Sequence, residues 1–422
     1  MKKIKLSTIP YIYKVKDVKV LRINILYPVK IKSRYTDVYK LNLMNRMLSS
    51  FNKKYNEINI FLKELKKNLI IKYDVGFNRY DNELFITVNF VIPKEGIVDN
   101  YSLEKSFEFL HDLLYNPDAS NGEFSEKNFS WNKNVALNNL KREINNIYDL
   151  SIEEIDNFFD PDNKYFIHRK ERIELVEKTN AKNVYDYYEK NIKNNKYITF
   201  ITGAIDDEKR VLELYNKYFY QEEYHFDIDV DLHRLIPYKD YQEKRINTKY
   251  NQSVIYQIYQ VKNIKEKDLN IMKMLYYFLY SKENNLIFSV LRTEYNLVYE
   301  SLVEFDEIHG LIYVRVLMDK KDEKVIKDLI NETIYSILDE AVFKKCKDNL
   351  MRSLEYDLLD EEDDEFHDVT ISINKKLKFN IAIDYIIKEM RKIDYKQMKE
   401  FLNRFKISRD LFMEGGHDEE NI

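Results

Sequence analysis

The sequence holds one cysteine, Cys346, in 422 residues. A lone thiol excludes an intrachain disulfide framework and any cysteine-built metal cage. Histidine is scarce too, at 7 residues, and none precedes His111. With 7 glycines and 6 prolines, the chain offers no P-loop, no glycine-rich dinucleotide turn and no Gly-x-Ser-x-Gly elbow. Nucleotide binding and serine hydrolysis therefore have no motif to rest on. The formal net charge of −4 supplies no global basic field to draw nucleic acid. No run approaches the roughly 18 apolar residues of a membrane-spanning helix. The start, MKKIKLSTIPYIYKVK, is basic but lacks the apolar core of a secretory signal. These absences lead us to expect a cytoplasmic chain with no membrane span and no nucleic-acid partner.

What is present is ordinary folding material. Hydrophobic residues make up 44% and charged residues 33%, a balance too apolar for disorder. The length allows two or three domains and a substantial core. The chain has 35 tyrosines with abundant Lys, Asn and Ile, which we take as skewed codon usage. Tyrosine-rich segments such as Asn183–Tyr188 are expected to be helix core and rim, since no basic groove accompanies them for base stacking.

Periodicity then orders the chain. Val20–Tyr27 alternates as a strand, and Tyr39–Phe51 places Leu41, Met44, Met47 and Leu48 on one helical face. A helix near Ile58–Lys66 leads to a hairpin, Leu69–Phe77 and Leu84–Ile92, around the polar turn NRYDNE. Helices follow over Leu103–Tyr115 and Glu126–Tyr148 and on to about Lys190. A strand over Tyr197–Thr202 is closed by Gly203, and a helix over Asp206–Phe219 ends the half. Residues 221–247 are charged, lose helical periodicity and contain Pro237; they form the expected linker.

The same order then begins again. A strand over Ser253–Val261 precedes a helix over Asp268–Tyr280, then strands Val298–Phe305 and Leu311–Met318. Helices follow over Glu323–Leu338, Val342–Leu359, Ile381–Met390 and Tyr395–Phe405. A last strand, Arg409–Glu414, is closed by Gly415 and Gly416. The halves also share a local echo, Asn68-Leu69-Ile70 and Asn296-Leu297-Val298, each entering a hairpin. A period of about 200 residues marks a duplicated domain, not a solenoid. The expected fold is α+β: two homologous domains, residues 1–220 and 248–422, each a largely antiparallel sheet with helices on one face.

The chemistry concentrates in Asn285–Ser301, NLIFSVLRTEYNLVYES. Leu286, Phe288 and Leu291 give a short helical pattern with Arg292 at its end, and Val298 begins a strand. Asn296 lies between, and asparagine tolerates the left-handed backbone that a tight helix-to-strand turn requires. A fixed cation and a phenol, Arg292 and Tyr299, thus flank a sharp turn. Both can donate hydrogen bonds to carbonyl oxygens, and neither is a ready base at neutral pH. For an arbitrary pair, an ion-paired arginine and a half-buried core tyrosine is the plainer expectation.

With that stretch in place, the sequence resembles the pitrilysin/insulinase family of inverzincin zinc peptidases. Within it, the likeness is to the smaller two-domain branch related to mitochondrial processing peptidase. LRTEYNLVYES is similar to the family's arginine-containing segment ending in Leu-x-Tyr, with Asn296 where the family usually has glycine. Phe159–Lys190 followed by ITFITGAID resembles its proline-containing loop, tyrosine-bearing helix and closing strand. Asn251-Gln252-Ser253 resembles the entry to the second half. The resemblance implies a clamshell of two α+β halves around a peptide chamber.

The resemblance also implies a missing half-site. The family's His-x-x-Glu-His belongs on the first long helix, where two histidines hold zinc and the glutamate activates water. The positions here are Asn42, Asn45 and Arg46, so no metal and no catalytic residue is expected on this chain. Glu143 falls near the family's third ligand, but one carboxylate makes no zinc site, and a surface helix charge is the simpler reading.

Remaining histidines give weaker patterns. His168-Arg169-Lys170-Glu171-Arg172 lacks a second histidine, and His417-Asp418-Glu419-Glu420 is a polar tail. His367 beside the acidic run Asp360–Glu365 suits a solvated helix end better than a metal. His225, His233 and His309 match no ligand spacing, which leaves a stand-alone metalloenzyme without support. The resemblance therefore implies a non-catalytic, substrate-binding subunit of a heterodimeric zinc metallopeptidase that processes peptides. Arg292 and Tyr299 would contact the peptide, and zinc would be on a paralogous partner subunit. The alternative is a catalytically dead scaffold of the same fold.

Overall fold

A computed structural model of the chain describes residues 2–15, 18–30, 36–80, 83–144, 146–161, 167–230, 234–281, 284–361 and 383–416. The chain divides into two compact units. One gathers Met1–Lys141 and Ile167–Asp231; the other gathers Arg142–Phe166, Leu232–Asp363 and Asn380–Ile422.

In the first unit the strands are β1 (Lys2–Ser7), β2 (Tyr11–Lys14), β3 (Val20–Lys30), β4 (Lys72–Tyr80) and β5 (Glu83–Pro93). A two-residue pair, β6 (Ala119–Ser120) and β7 (Glu123–Phe124), precedes β8 (Ile198–Gly203) and β9 (His225–Val230). The main sheet runs β2-β8-β3-β5-β4. Only the β2–β8 pair in it is parallel. Side chains alternate faces along a strand, so Leu21, Ile23, Ile25 and Tyr27 of β3 enter the core while Arg22 and Asn24 take the other side. Helix Val38–Ser50 supplies Leu41, Met44, Met47 and Leu48 to that core, as its spacing predicts. Ser102 caps helix Leu103–Tyr115 by accepting from the Lys105 N–H, which satisfies one of the unpaired donors of the first turn.

The second unit repeats this plan. Its strands are β10 (Gln242–Asn247), β11 (Ser253–Val261), β12 (Val298–Asp306), β13 (Leu311–Met318) and β14 (Phe405–Glu414). They order as β10-β14-β11-β13-β12, again with only the outermost first pair parallel. Strand for strand and direction for direction, the two sheets follow one topology, as a duplicated α+β domain requires. The strand-closing glycines have a shared cause. A Cβ on Gly203 would lie 2.3 Å from the Val20 carbonyl oxygen, and one on Gly415 would lie 2.3 Å from that of Gln252. In both units the closing strand ends against the backbone that enters the central strand, and only glycine fits.

Two places depart from the expected 1–220, 221–247 and 248–422 partition. Residues 221–247 are not a bare linker: β9 pairs antiparallel with β1, and β10 pairs parallel with β14. Helix Ile147–Phe159, from the first half of the sequence, packs on the second sheet. Ile147, Ile155 and Phe159 bury against Val254, Tyr256, Ile258, Leu411 and Met413. The Lys244 ammonium lies 2.9 Å from Glu154 Oε2, and the Arg315 guanidinium stacks 3.5 Å from the centre of the Tyr148 ring. The apolar stripe announces a helix that needs a partner but carries no address for it.

Residues 234–416 produced without residues 142–161 are expected to aggregate, because that face of the second sheet is left bare. In the full chain, Ile155→Ala should cost about 2–5 kcal/mol, measured by denaturant unfolding. A soluble, cooperatively folding fragment 234–416 would contradict the packing role of the helix.

Candidate functional site

The segment around Arg292 is built from its buried residues outward. The Asn285 side chain accepts from the Phe288 N–H and starts a short helix, Leu286–Phe288. The helix widens into a π turn over Ser289–Glu294, where the Tyr295 N–H reaches the Val290 carbonyl, five residues back. Such widened turns recur at functional sites. Ile287 and Leu291 are fully buried in the second core, which turns Arg292 to the exposed side. Asn296 then reverses the chain at φ 52°, the left-handed conformation its residue type suggested.

Beyond the turn, β12 carries an irregularity. Val298 pairs with Met318 and Glu300 with Leu317, so Tyr299 is the extra residue of a β-bulge. A bulge of this kind re-aims a side chain, and Tyr299 is 52% exposed. Its hydroxyl donates to Asp319 Oδ1 at 3.0 Å. Arg292 Nη1 donates to Asn296 Oδ1 at 3.1 Å and to the Val298 carbonyl at 2.8 Å. Among the described residues, no bond engages its other guanidinium nitrogens. The hydrogen bond to Asp319, with that carboxylate's charge, pushes the Tyr299 phenol above its ordinary pKa, while the Arg292 charge pulls the other way. Arg292 and Tyr299 are thus both exposed: Tyr299 is not a core tyrosine, and no carboxylate pairs with Arg292 among the described residues. Asp319, one residue beyond β13, went unnoticed in the sequence. Its one signal in the sequence is an acid directly after a strand.

In the first unit, Asn42, Asn45 and Arg46 lie on helix Val38–Ser50. Asn42 is exposed and Arg46 half-buried, and Asn45 is buried with its Oδ1 unpartnered. Neutral amides and a fixed cation do not fit zinc, which takes histidine, thiolate or carboxylate. Glu143 is half-buried near the end of helix Glu126–Ile144. His309 Nδ1 bonds Asp306 Oδ2 at 2.6 Å, His225 lies 3.8 Å from Glu223, and exposed His168 precedes helix Arg169–Lys178. His233, His367 and the tail from His417 lie outside the described residues, as do the side chains of the 360–365 run. Among the described residues, no three metal-ligating side chains come together, and no helix is long and apolar enough to cross a membrane.

Geometry of this kind belongs to a recognisable class. A conserved protein from Enterococcus faecalis superimposes with a TM-score of 0.81 at 14% identity, covering 99% of this chain and 100% of that one. A peptidase M16 inactive domain from Pseudomonas fluorescens gives 0.67 at 10% identity, covering 99% and 98%. A protease from Helicobacter pylori gives 0.67 at 12%, covering 98% and 99%. At these identities the likeness is one of fold: two α+β domains of the M16 type. In sequence, residues 178–350 match the model of the peptidase M16 inactive domain. That stretch contains Arg292, Tyr299 and Asp319, and the match agrees with the family resemblance drawn from the sequence. A comparison with curated protein sequences returns no match.

Because the first-unit donors do not suit zinc, the purified chain should hold no stoichiometric zinc after dialysis, as measured by elemental analysis. About one tightly held zinc per chain would require three competent ligands elsewhere and would overturn this reading of Asn42, Asn45 and Arg46.

Proposed function

We propose that the chain is a catalytically silent, peptide-binding subunit that works beside a zinc-bearing paralogue in a cytoplasmic heterodimeric metallopeptidase. The observation that carries the reading is the exposed, braced Arg292–Tyr299 pair, within a stretch matched by the inactive-domain family. A pocketless scaffold would have no use for a guanidinium held outward with donors to spare.

Peptide hydrolysis needs activated water on one side of the scissile bond and hydrogen-bonding groups for the substrate backbone on the other. The partner's metal supplies the first when bound. On this chain Arg292 supplies the second: its fork donates without ever deprotonating, and such charge-assisted bonds to carbonyl oxygen are stronger than neutral ones. The bond to the Val298 carbonyl fixes the fork's direction before a peptide arrives, which lowers the ordering cost of binding. Tyr299 flanks it with a rigid, half-apolar surface. The partner is identified by its chemistry, a chain of similar size carrying His-x-x-Glu-His, and the neighbouring reading frame is the first place to look.

The test is hydrolysis by the reconstituted pair, measured beside its melting temperature. Arg292→Ala should raise KM roughly tenfold or more, since hydrogen bonds to charged groups contribute about 1.5–3 kcal/mol, with assembly intact. Tyr299→Phe should lower turnover while the melting temperature holds. Unchanged hydrolysis by both variants, with lowered stability, would make the pair architecture and the chain a scaffold.

A further inference from the structure

Tyr299 has one proton to give, and the structure has already spent it. We propose that Asp319 is a positioning residue that fixes Tyr299 as a hydrogen-bond acceptor, so that the phenol oxygen receives a backbone N–H of the bound peptide. The inference rests on the peptide-binding reading of Arg292 and Tyr299, and it assigns the two residues opposite roles.

A phenol carries one O–H and two lone pairs, and an ionised carboxylate only accepts. With the Tyr299 hydroxyl donating to Asp319 Oδ1 at 3.0 Å, what remains facing outward is lone pairs. The geometry holds this arrangement from both ends. The bulge takes Tyr299 out of the regular β12–β13 register. Asp319 follows Met318, the residue paired with Val298, which sets its carboxylate beside the re-aimed ring. Asp319 also occupies the N-cap of the short turn Lys320–Asp322, yet its side chain caps none of the turn's N–H groups. An aspartate there ordinarily turns inward to the turn; this one turns to the phenol. The remaining charges acting on the hydroxyl are Arg292, which favours its ionisation, and Asp322, which opposes it.

A donated proton on a carboxylate also strengthens the phenol oxygen as an acceptor, because hydrogen bonds in a chain polarise one another. The result is a matched pair. Arg292 presents N–H groups and no acceptor; Tyr299 presents an acceptor and no free proton. An extended peptide offers both a C=O and an N–H at every residue other than proline, so the two side chains together can bind its main chain without regard to side-chain identity. Two donors side by side could take carbonyls alone.

The test uses the full chain and two readouts. First, 3-fluorotyrosine is placed at position 299 and its ¹⁹F resonance is titrated. Asp319→Asn should lower the phenol's pKa and Asp319→Glu should restore it; an unchanged pKa in Asp319→Asn would remove the bond on which the proposal stands. Second, the peptide best retained by the chain from a casein digest is resynthesised with each backbone amide in turn replaced by an ester, which deletes one N–H. One ester should weaken binding roughly three- to tenfold, the worth of a single hydrogen bond. That penalty should vanish in Tyr299→Phe and shrink in Asp319→Asn. A penalty that persists in Tyr299→Phe overturns the acceptor role, as does the absence of any ester penalty while Arg292→Ala still weakens binding; either result leaves the peptide-binding reading standing. Retention of no peptide, or binding indifferent to Arg292→Ala, overturns that reading and this inference with it.

Discussion

Strand β11 is buried along its whole length, and much of the second unit follows from that. A strand in the middle of an antiparallel sheet usually faces water on one side. Here Ile255, Tyr259 and Val261 point into the main core while Val254, Tyr256 and Ile258 point the opposite way. Apolar side chains on both faces must be covered twice. Helices from the second half of the sequence cover one face, and helix Ile147–Phe159 covers the other. That requirement draws a helix from the first half of the sequence onto the second sheet.

With β11 central and β13 beside it, β12 is left at the sheet's margin. Edge strands expose unpaired backbone and are commonly blunted by charge or by a bulge. β12 has both: Glu300 and Glu304 are exposed, and Tyr299 interrupts the pairing. The device that protects an edge also aims a side chain. Once Tyr299 leaves the alternating pattern, it is free to meet Asp319, and the turn that brings the chain into β12 holds Arg292 beside it. Edge protection and the aiming of Tyr299 come from one local irregularity.

The amino-acid pattern made some of this legible and hid the rest for physical reasons. Alternation in Val20–Tyr27 and the stripe Leu41, Met44, Met47, Leu48 report local burial, and both correspond to core positions. The repeated element order disclosed the duplication, because each half must fold by the same packing. Arg292 and Tyr299 were visible through a seven-residue spacing across a turn. Asp319 was not, since its meeting with Tyr299 depends on which strands pair and on a bulge, and neither leaves a period in the sequence. The destination of helix Ile147–Phe159 was hidden likewise: a stripe of Ile147, Ile155 and Phe159 is equally suited to either sheet.

The local echo between the halves carries a last lesson about how the two units diverged. Asn68-Leu69-Ile70 and Asn296-Leu297-Val298 look equivalent, yet the left-handed residue is Leu69 in one and Asn296 in the other. The first turn closes with the Ile70 N–H on the Leu65 carbonyl, five residues back. The second closes with the Leu297 N–H on the Leu291 carbonyl, six residues back. One more residue is accommodated before the second hairpin, and the π turn is where it is taken up, since a π turn is an α-helix with one residue inserted. Structural alignment by the left-handed position therefore sets Asn296 against Leu69, one step off the sequence echo. A leucine held left-handed costs about 1–2 kcal/mol more than a residue that tolerates that region, whereas Asn296 both adopts it and offers its Oδ1 to Arg292. The inserted residue and the asparagine belong together: one makes room at the turn, and the other ties the guanidinium to it.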